Sequence, residues 1–258
     1  MVSIRGFARR HRRALSFLGT ALAAALILWT VNNPAIIGAS ATTRQLPVYC
    51  VQREDKAIAI SFDAAWGNED TQKLIDILGA YGVRTTFFVV GDWAEKYPES
   101  VRALHEAGHE VMSHSSHHAH FSMMSAAEIA ADLREANRII ALGTGVEPTL
   151  FRCPYGEYDD HVIQTVNSLG MTAIQWSVDS LDWKGISADE ICRRVLDRVE
   201  PGSIVLFHNA AEHTPEALPR ILAELQAQGY TIVPVSELLL QGETRIDHAG
   251  KQLPAAAA

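Results

Sequence analysis

Residues 57–62 read AIAISF, an uninterrupted apolar run of the length and composition expected for a buried β-strand. Residues 68–80 follow with apolar side chains at helical spacing, and residues 84–90, RTTFFVV, supply a second strand. The same order, a strand and then an amphipathic helix, recurs about seven times along the chain. Such alternation is typical of parallel strands joined by crossover helices, so the sequence predicts an α/β domain.

The boundaries of the predicted helices support this architecture. Two capping boxes, Ser125 with Glu128 and Ser187 with Glu190, mark the starts of helices. The residue that ends a helix often adopts a left-handed conformation, which favours glycine. Glycine separates a predicted helix from the next strand at four positions, Gly82, Gly108, Gly170 and Gly229. A closed sheet of this kind is a (β/α) barrel and an open one is doubly wound. The body of roughly 190 residues is a little small for a full eight-stranded barrel.

The N-terminal segment, residues 1–43, differs from this body. Its first 13 residues contain five arginines and no acidic residue, and residues 14–31 form an uncharged apolar run. An apolar run behind a basic cluster is typical of a transmembrane helix that keeps the N-terminus in the cytoplasm. We therefore predict a signal anchor and a single-pass protein of the cell membrane whose domain lies outside. Cleavage after Ala41 would instead secrete that domain.

The rest of the chain divides into a linker, a domain and a tail. We place the linker over residues 44–55, the α/β domain over residues 56–240 and a tail that we expect to be disordered over residues 241–258. Beyond the N-terminal arginines, 17 basic residues stand against 30 acidic ones, a net charge of −13 that disfavours nucleic-acid binding. Three cysteines without a CxxC pair indicate neither a disulfide framework nor a cysteine zinc site. We expect a monomer.

Titratable side chains stand where five of the predicted strands end. They are Asp63, His114, Arg152, Asp179 with Asp182, and His208. Because the carboxyl ends of parallel strands carry the active sites of barrels and doubly wound sheets, this placement predicts an enzyme. The sequence contains no GxSxG, P-loop, GxGxxG or CxxC motif. The remaining residues favour metal-assisted hydrolysis as the reaction class.

Four histidines within seven residues indicate a metal site after the third strand. Imidazole is the commonest metal ligand, and a cluster of four is far less ordinary than one surface histidine. Two pairs have a spacing that could reach one ion, namely His114 with His118 and His117 with His120. The sequence alone does not choose between them.

A second string, His105-Glu106-Ala107-Gly108-His109, matches the HExxH pattern of zinc proteases. That pattern requires both histidines on one continuous helix, with the glutamate as general base. Gly108 interrupts the helix and an apolar strand pattern follows at once. We therefore interpret the match as coincidental and keep a metalloprotease as a rival hypothesis.

Three strand-end residues suggest acid–base chemistry. Asp63 could act as a general base or as a ligand. Arg152 could hold a carboxylate bidentately and keep it ionised. Asp182 could raise the pKa of His208 and so suit this histidine to act as an acid.

Taken in order, five strings between Lys56 and Leu240 resemble the motifs of the polysaccharide deacetylase family, the NodB-homology domain of carbohydrate esterase family 4. They are Ser61-Phe62-Asp63-Ala64, His114-Ser115 with His118, Arg152 with Pro154-Tyr155, Asp182-Trp183, and Leu206 with His208. The resemblance implies a distorted (β/α) barrel of about seven parallel strands. The variant string SFDAAWG and the membrane anchor also resemble the PdaB-like branch, which is tied to spore formation.

The same resemblance implies removal of N-acetyl groups from a cell-wall polysaccharide, namely peptidoglycan or a related N-acetylglucosamine glycan. His114 and His118 would hold a divalent metal, zinc or cobalt, that polarises the acetamide carbonyl. Asp63 would take a proton from water while Arg152 keeps its carboxylate ionised.

The remaining motifs would serve the oxyanion, the leaving group and the acetyl pocket. The resemblance implies that the Tyr155 backbone N–H stabilises the oxyanion. His208, tuned by Asp182, would protonate the leaving amine, and Trp183 and Leu206 would form the walls of the acetyl pocket.

One residue departs from the family pattern. The aspartate that usually serves as the third metal ligand is replaced by Ala64. Two histidines leave the site one protein ligand short, and water, His117 or another carboxylate would have to fill that position. The alternative hypothesis is therefore a catalytically weak or inactive domain that binds glycan or scaffolds the cell envelope.

Overall fold

The computed structural model describes residues 44–255, together with residues 22 and 29. A compact unit begins at Gln45. The predicted membrane span over residues 14–31 and the cleavage position after Ala41 lie outside the described residues, apart from those two positions. Among the helices that the structure describes, none is both long enough and apolar enough to cross a membrane.

Strands and helices alternate along the described chain. The elements are β1 (Cys50–Val51), β2 (Ala57–Ala64), α1 (Thr71–Ala80), β3 (Thr86–Val89), α2 (Gly91–Lys96), α3 (Pro98–Glu106), β4 (Glu110–Ser113), α4 (Ala126–Thr144), β5 (Leu150–Phe151), α5 (Asp160–Ser168), β6 (Thr172–Ala173), β7 (Val178–Asp179), α6 (Ala188–Leu196), β8 (Ile204–His208), α7 (Thr214–Ala227), β9 (Thr231–Ile232), α8 (Val235–Leu238), β10 (Thr244–Ile246) and β11 (Lys251–Pro254). Short 3-10 helices cover Phe121–Met123, Pro154–Gly156 and Asp182–Lys184.

The main sheet is a curled, parallel half-barrel. Its strand order is β6-β5-β4-β3-β2-β8-β7, and β9 pairs with the start of β2. Every ladder in it is parallel. Within the described residues β6 and β7 form no ladder with each other, so the sheet is open along that seam. The predicted parallel α/β architecture is thus confirmed, with an open seam where a closed barrel would have its last ladder.

Strand β2 divides the apolar core into two layers. Ile58, Ile60 and Phe62 pack with the buried faces of the surrounding helices, whereas Ala57 and Ala59 belong to the cluster inside the half-barrel. This alternation follows from the two-residue period of a strand. By the same period, the side chains at odd positions on β2 face the interior. Asp63, the last odd position of β2, therefore faces the interior.

The predicted helix ends are confirmed. Both capping boxes form, with the hydroxyl of Ser125 or Ser187 accepting from the backbone N–H three residues on. The four glycines predicted at helix ends all have a positive φ. Glycine adopts this left-handed conformation without the steric cost that a Cβ atom brings.

The tail predicted to be disordered from residue 241 is ordered over much of its length. Strands β10 and β11 are antiparallel, and β11 pairs in parallel with β1, a strand inside the stretch assigned to the linker. The prediction was wrong for residues 244–254 because backbone hydrogen bonds, rather than apolar side chains, hold this small sheet. The Tyr49 amide, for example, donates to the carbonyl of Gly250.

Gly202 joins this small sheet to the half-barrel, and we expect Gly202→Ala to lower the melting temperature strongly. Its φ is +82°, and an added Cβ would lie 1.8 Å from the carbonyl oxygen of Val51. Gly229 has the same φ of +82° with nothing within 4 Å, so Gly229→Ala is a matched control for the backbone conformation alone. That conformation costs a non-glycine residue roughly 1–2 kcal/mol. Equal melting temperatures for the two variants would contradict the steric argument.

Candidate active site

The predicted site residues converge on one cavity of about 480 Å³ at the carboxyl ends of the strands. All of them line it except Arg152 and Asp182, which lie behind the lining residues. Strands β2, β4, β5, β7 and β8 each end beside it, so the topology brings together residues that are up to 145 positions apart in the sequence. This placement agrees with the rule for parallel sheets.

Arg152 and Asp63 form a buried ion pair beneath the cavity. Arg152 Nη1 donates to Asp63 Oδ1 at 2.8 Å, and Nη2 donates to Ser61 Oγ at 2.9 Å. The guanidinium also lies 4.1 Å from the centre of the Phe88 ring. Burial alone would raise the pKa of Asp63, but the charges of Arg152, His114 and His208 hold that pKa below its ordinary value. Asp63 is therefore an ionised carboxylate at neutral pH.

His114 faces Asp63 with a defined tautomer. Its Nδ1 lies 2.8 Å from the backbone carbonyl oxygen of Arg152, which can only accept, so Nδ1 carries the proton. The lone pair then resides on Nε2, which lies 3.5 Å from Asp63 Oδ2. Burial lowers the pKa of His114, against the opposing charge of Asp63. A hydrogen bond that fixes the tautomer of a histidine is typical of metal ligands.

His118 is the second histidine at the cavity. Its ring centre lies 4.9 Å from that of His114 and 4.4 Å from that of Tyr155. Burial and the neighbouring imidazole lower the pKa of His118 to about 4, so the ring is neutral at pH 7. Its Nδ1 is buried without a hydrogen-bond partner. A neutral ring with an unpartnered buried nitrogen is suited to donate a lone pair to a metal ion.

The alternative pair is not part of this cavity. His117 and His120 have exposed side chains, and each places Nδ1 beside a carboxylate, Asp92 at 2.9 Å and Glu157 at 2.8 Å. His120 also stacks on Tyr155, with ring centres 4.3 Å apart. The structure therefore favours His114 with His118 among the two pairs that the sequence left open.

The HExxH string does not assemble a protease site. His105 and His109 lie in one surface depression, whereas Glu106 lies in another. His109 Nδ1 accepts the backbone N–H of Thr85 at 3.2 Å, and burial lowers the pKa of His109 to about 4. The structure thus explains His109 as a core histidine that satisfies a strand amide.

Asp182 and His208 form the second acid–base pair of the cavity. His208 Nδ1 donates to Asp182 Oδ1 at 2.8 Å, and the His208 amide donates to Oδ2 at 2.8 Å. The hydroxyl of Thr214 donates to the same carboxylate at 2.7 Å. Burial lowers the pKa of His208, but the hydrogen bond and charge of Asp182, with the charges of Asp63 and Asp179, raise it above its ordinary value.

The position that departs from the family pattern faces away from the cavity. Ala64 is fully buried in the helix-side cluster with Phe62, whereas its neighbour Ala65 lines the cavity. Neither residue offers a ligand atom. Among the described residues, no group of three His, Cys, Asp or Glu side chains is placed to hold a metal ion. Two imidazoles, those of His114 and His118, therefore lie together at the cavity, whereas a typical catalytic zinc site has three protein ligands.

Several residues of the site were missed from the sequence. Ser61 and Thr214 supply hydroxyls to Arg152 and Asp182, and a lone hydroxyl residue in a strand or helix start carries no signal of such a role. Trp66 also lines the cavity. Its position three residues after the strand-end aspartate Asp63 was the signal that could have identified it.

Comparison with known proteins places these residues in a family. The family model for polysaccharide deacetylases matches residues 51–174. A peptidoglycan-N-acetylglucosamine deacetylase from Bacillus cereus is 30% identical over 192 residues, which are 73% of this chain and 70% of that protein. The chain belongs to the polysaccharide deacetylase family. The family of hydrolases identified from the motifs is thereby confirmed.

The chain is also similar to a longer relative and to two solved structures. The uncharacterized protein YlxY of Bacillus subtilis is 30% identical over 78% of this chain, which spans only 62% of YlxY. The solved structure of a carbohydrate esterase family 4 pseudoenzyme from Bacillus anthracis is 32% identical, with a TM-score of 0.72, and covers 74% of this chain and 68% of its own. A mutant of that pseudoenzyme with restored activity is 33% identical, with the same TM-score and coverage of 74% and 70%.

We expect Asp182→Asn to lower the pKa of His208. The amide removes the hydrogen-bonded negative charge that opposes the effect of burial on this pKa. A raised histidine pKa stabilises the fold at acidic pH, and this stabilisation is lost as the pH rises through the pKa of the folded state. Histidine NMR titration measures the change.

Asp92→Asn is the matched control for this titration. It removes the carboxylate that raises the pKa of His117, a histidine outside the cavity. This variant should lower the pKa of His117 and leave that of His208 unchanged. An unchanged His208 titration in Asp182→Asn would contradict the assigned coupling.

Proposed function

We propose that this chain hydrolyses the acetamide of an N-acetylated cell-wall glycan, peptidoglycan or a related N-acetylglucosamine polymer. One observation carries the proposal. Two acid–base pairs, Asp63 with Arg152 and His208 with Asp182, meet at one cavity with pKa values shifted in opposite directions. Groups separated in this way are suited to act as base and acid in one reaction. The name of the Bacillus cereus relative supports peptidoglycan as the substrate class.

Asp63 is the proposed general base. Its lowered pKa keeps the carboxylate ionised, and its second oxygen, Oδ2, is turned towards His114 at the cavity. A carboxylate in this position takes a proton from the attacking water. Arg152 fixes the position of the carboxylate through Oδ1 and never competes for the proton, because a guanidinium stays protonated.

His208 is the proposed general acid. Asp182 accepts a hydrogen bond from the Nδ1–H group, so the other ring nitrogen, Nε2, is left to give its proton to the leaving amine. The raised pKa increases the protonated fraction of His208 near neutral pH. Trp183 and Leu206 line the same cavity and would enclose the acetyl methyl group.

Tyr155 is the proposed oxyanion donor through its backbone N–H. Its φ of +58° is unusual for a residue with a Cβ, and such strain is concentrated at functional sites. A divalent metal bound by His114 and His118, zinc or cobalt, would polarise the carbonyl that this N–H contacts. With two protein ligands, we expect weaker metal binding than in a three-ligand site.

We also propose that the domain acts outside the cell membrane, held by the apolar segment over residues 14–31. The arginine cluster before that segment supports this orientation. We further propose a role in sporulation. This most specific part of the proposal rests on the resemblance of the string SFDAAWG to the PdaB-like branch.

A second candidate function is glycan binding without catalysis. The replacement of the third ligand by Ala64 favours it, as does the likeness to a pseudoenzyme of the same family. The retention of both acid–base pairs, which a binding module does not need, favours the hydrolase.

Acetate release from peptidoglycan and from N-acetylglucosamine oligomers tests the proposal. We expect the full-length chain to release acetate when zinc or cobalt is added to metal-free protein. Asp63→Asn should abolish the release, and His208→Ala should reduce it by about 10²–10⁴-fold, the usual contribution of one acid–base group.

Glu106→Gln is the matched control, since it changes the glutamate of the HExxH string and should leave acetate release intact. No release from the wild type at saturating metal would favour the binding function. Equal release from Asp63→Asn and wild type would refute the assignment of the base.

A further inference from the structure

The exposed aromatic side chains of the described domain share one location. Among residues 44–255, those of Trp66, Tyr155 and Trp183 are 64%, 56% and 58% exposed, and the other Phe, Tyr and Trp residues are buried or half-buried. All three exposed rings line the cavity of the acid–base pairs. Large aromatic surfaces left in water at a single cavity indicate a ligand with apolar faces.

The three rings stand on different sides of the cavity. Trp66 follows β2 in the middle of the sheet, Tyr155 follows β5, and Trp183 follows β7 at the open seam. Trp66 and Tyr155 each contact His118, with ring centres at 5.2 and 4.4 Å. Trp183 would enclose the acetyl group of the reacting sugar, so Trp66, on a different loop, is available to contact a neighbouring sugar.

The backbone beneath Trp66 is held rigidly. Asn209 Nδ2 donates to the carbonyl oxygens of both Trp66 and Gly67, each at 2.7 Å. The indole N–H of Trp93 also donates to the Gly67 carbonyl. Gly67 has a φ of +59°, and an added Cβ would lie 2.4 Å from Glu69 Oε2 and 3.0 Å from Ala210 Cβ. The Trp66 ring is thus exposed on a preorganised loop, which lowers the entropic cost of binding.

We propose that Trp66 is a stacking platform for a second sugar ring, so that the site takes a chain of at least two N-acetylhexosamine units. The chemical nature of the chain rests on the proposed function. The C–H face of a pyranose packs on the indole while its hydroxyls stay in water. This role makes Trp66 a residue that determines chain-length specificity, distinct from the acid–base groups.

Equilibrium binding to the metal-free, full-length chain tests this role. NMR titration with N-acetylglucosamine and with its β-1,4-linked tetramer measures millimolar and tighter affinities. We expect the wild type to bind the tetramer more tightly than the monosaccharide. Trp66→Ala should weaken tetramer binding by roughly tenfold, the value of one buried aromatic face, and leave monosaccharide binding unchanged. Trp66→Phe should retain most of the affinity.

Leu142→Ala is the matched control, because Leu142 is an exposed apolar residue that does not line the cavity. Trp66→Ala with wild-type affinity for the tetramer would overturn the proposal, as would a wild type that binds no tetramer. A Trp66→Phe variant as weak as Trp66→Ala would also overturn it, since stacking needs only a ring. These readouts do not depend on acetate release, so failure of catalysis with intact tetramer binding would count against the hydrolase alone.

Discussion

The buried pairing of Arg152 with Asp63 is the constraint on which the site and the barrel interior both depend. A guanidinium with no solvent contact is costly to bury, and the cost is offset only when its partners are well placed. Arg152 reaches from the end of β5 to Asp63 and Ser61 on β2, to the carbonyl of Gln175 after β6, and over the ring of Phe88 on β3. It therefore connects strands across the half-barrel at the same point where it holds the proposed base ionised.

In the second pair, Asp182 with His208, the charges of the buried and the cavity-facing members are reversed. Here the buried member is the carboxylate, which accepts hydrogen bonds from His208, Trp183 and Thr214, while the imidazole reaches the cavity. One pair presents an anion stabilised by a buried cation, and the other presents an imidazole whose protonated form a buried anion stabilises. Because the two pairs approach the cavity from neighbouring strands β2 and β8, one substrate group can contact both.

The sequence predicted which residues gather at the cavity better than it predicted the C-terminal strands. The rule that chemistry gathers at the carboxyl ends of parallel strands located Asp63, His114 and His208 without any structure. It could not choose between the two histidine pairs, since that choice depends on burial and on the contacts of His117 and His120 with distant carboxylates. It also missed β10 and β11, whose pairing rests on backbone hydrogen bonds that leave no apolar pattern in the sequence.

Ala64 and Trp66 are two positions apart, and they bear on different parts of the function. The resemblance implies a metal ligand at position 64, where Ala64 carries none, whereas both buried ion pairs are in place. Trp66 adds apolar surface on a loop held by Asn209, which a reaction at one acetamide does not require. Under the proposed function, catalysis depends on what His114 and His118 can bind, whereas the proposed stacking of a sugar on Trp66 needs no metal. The two proposals can therefore fail separately, since a loss of hydrolysis does not entail a loss of glycan binding.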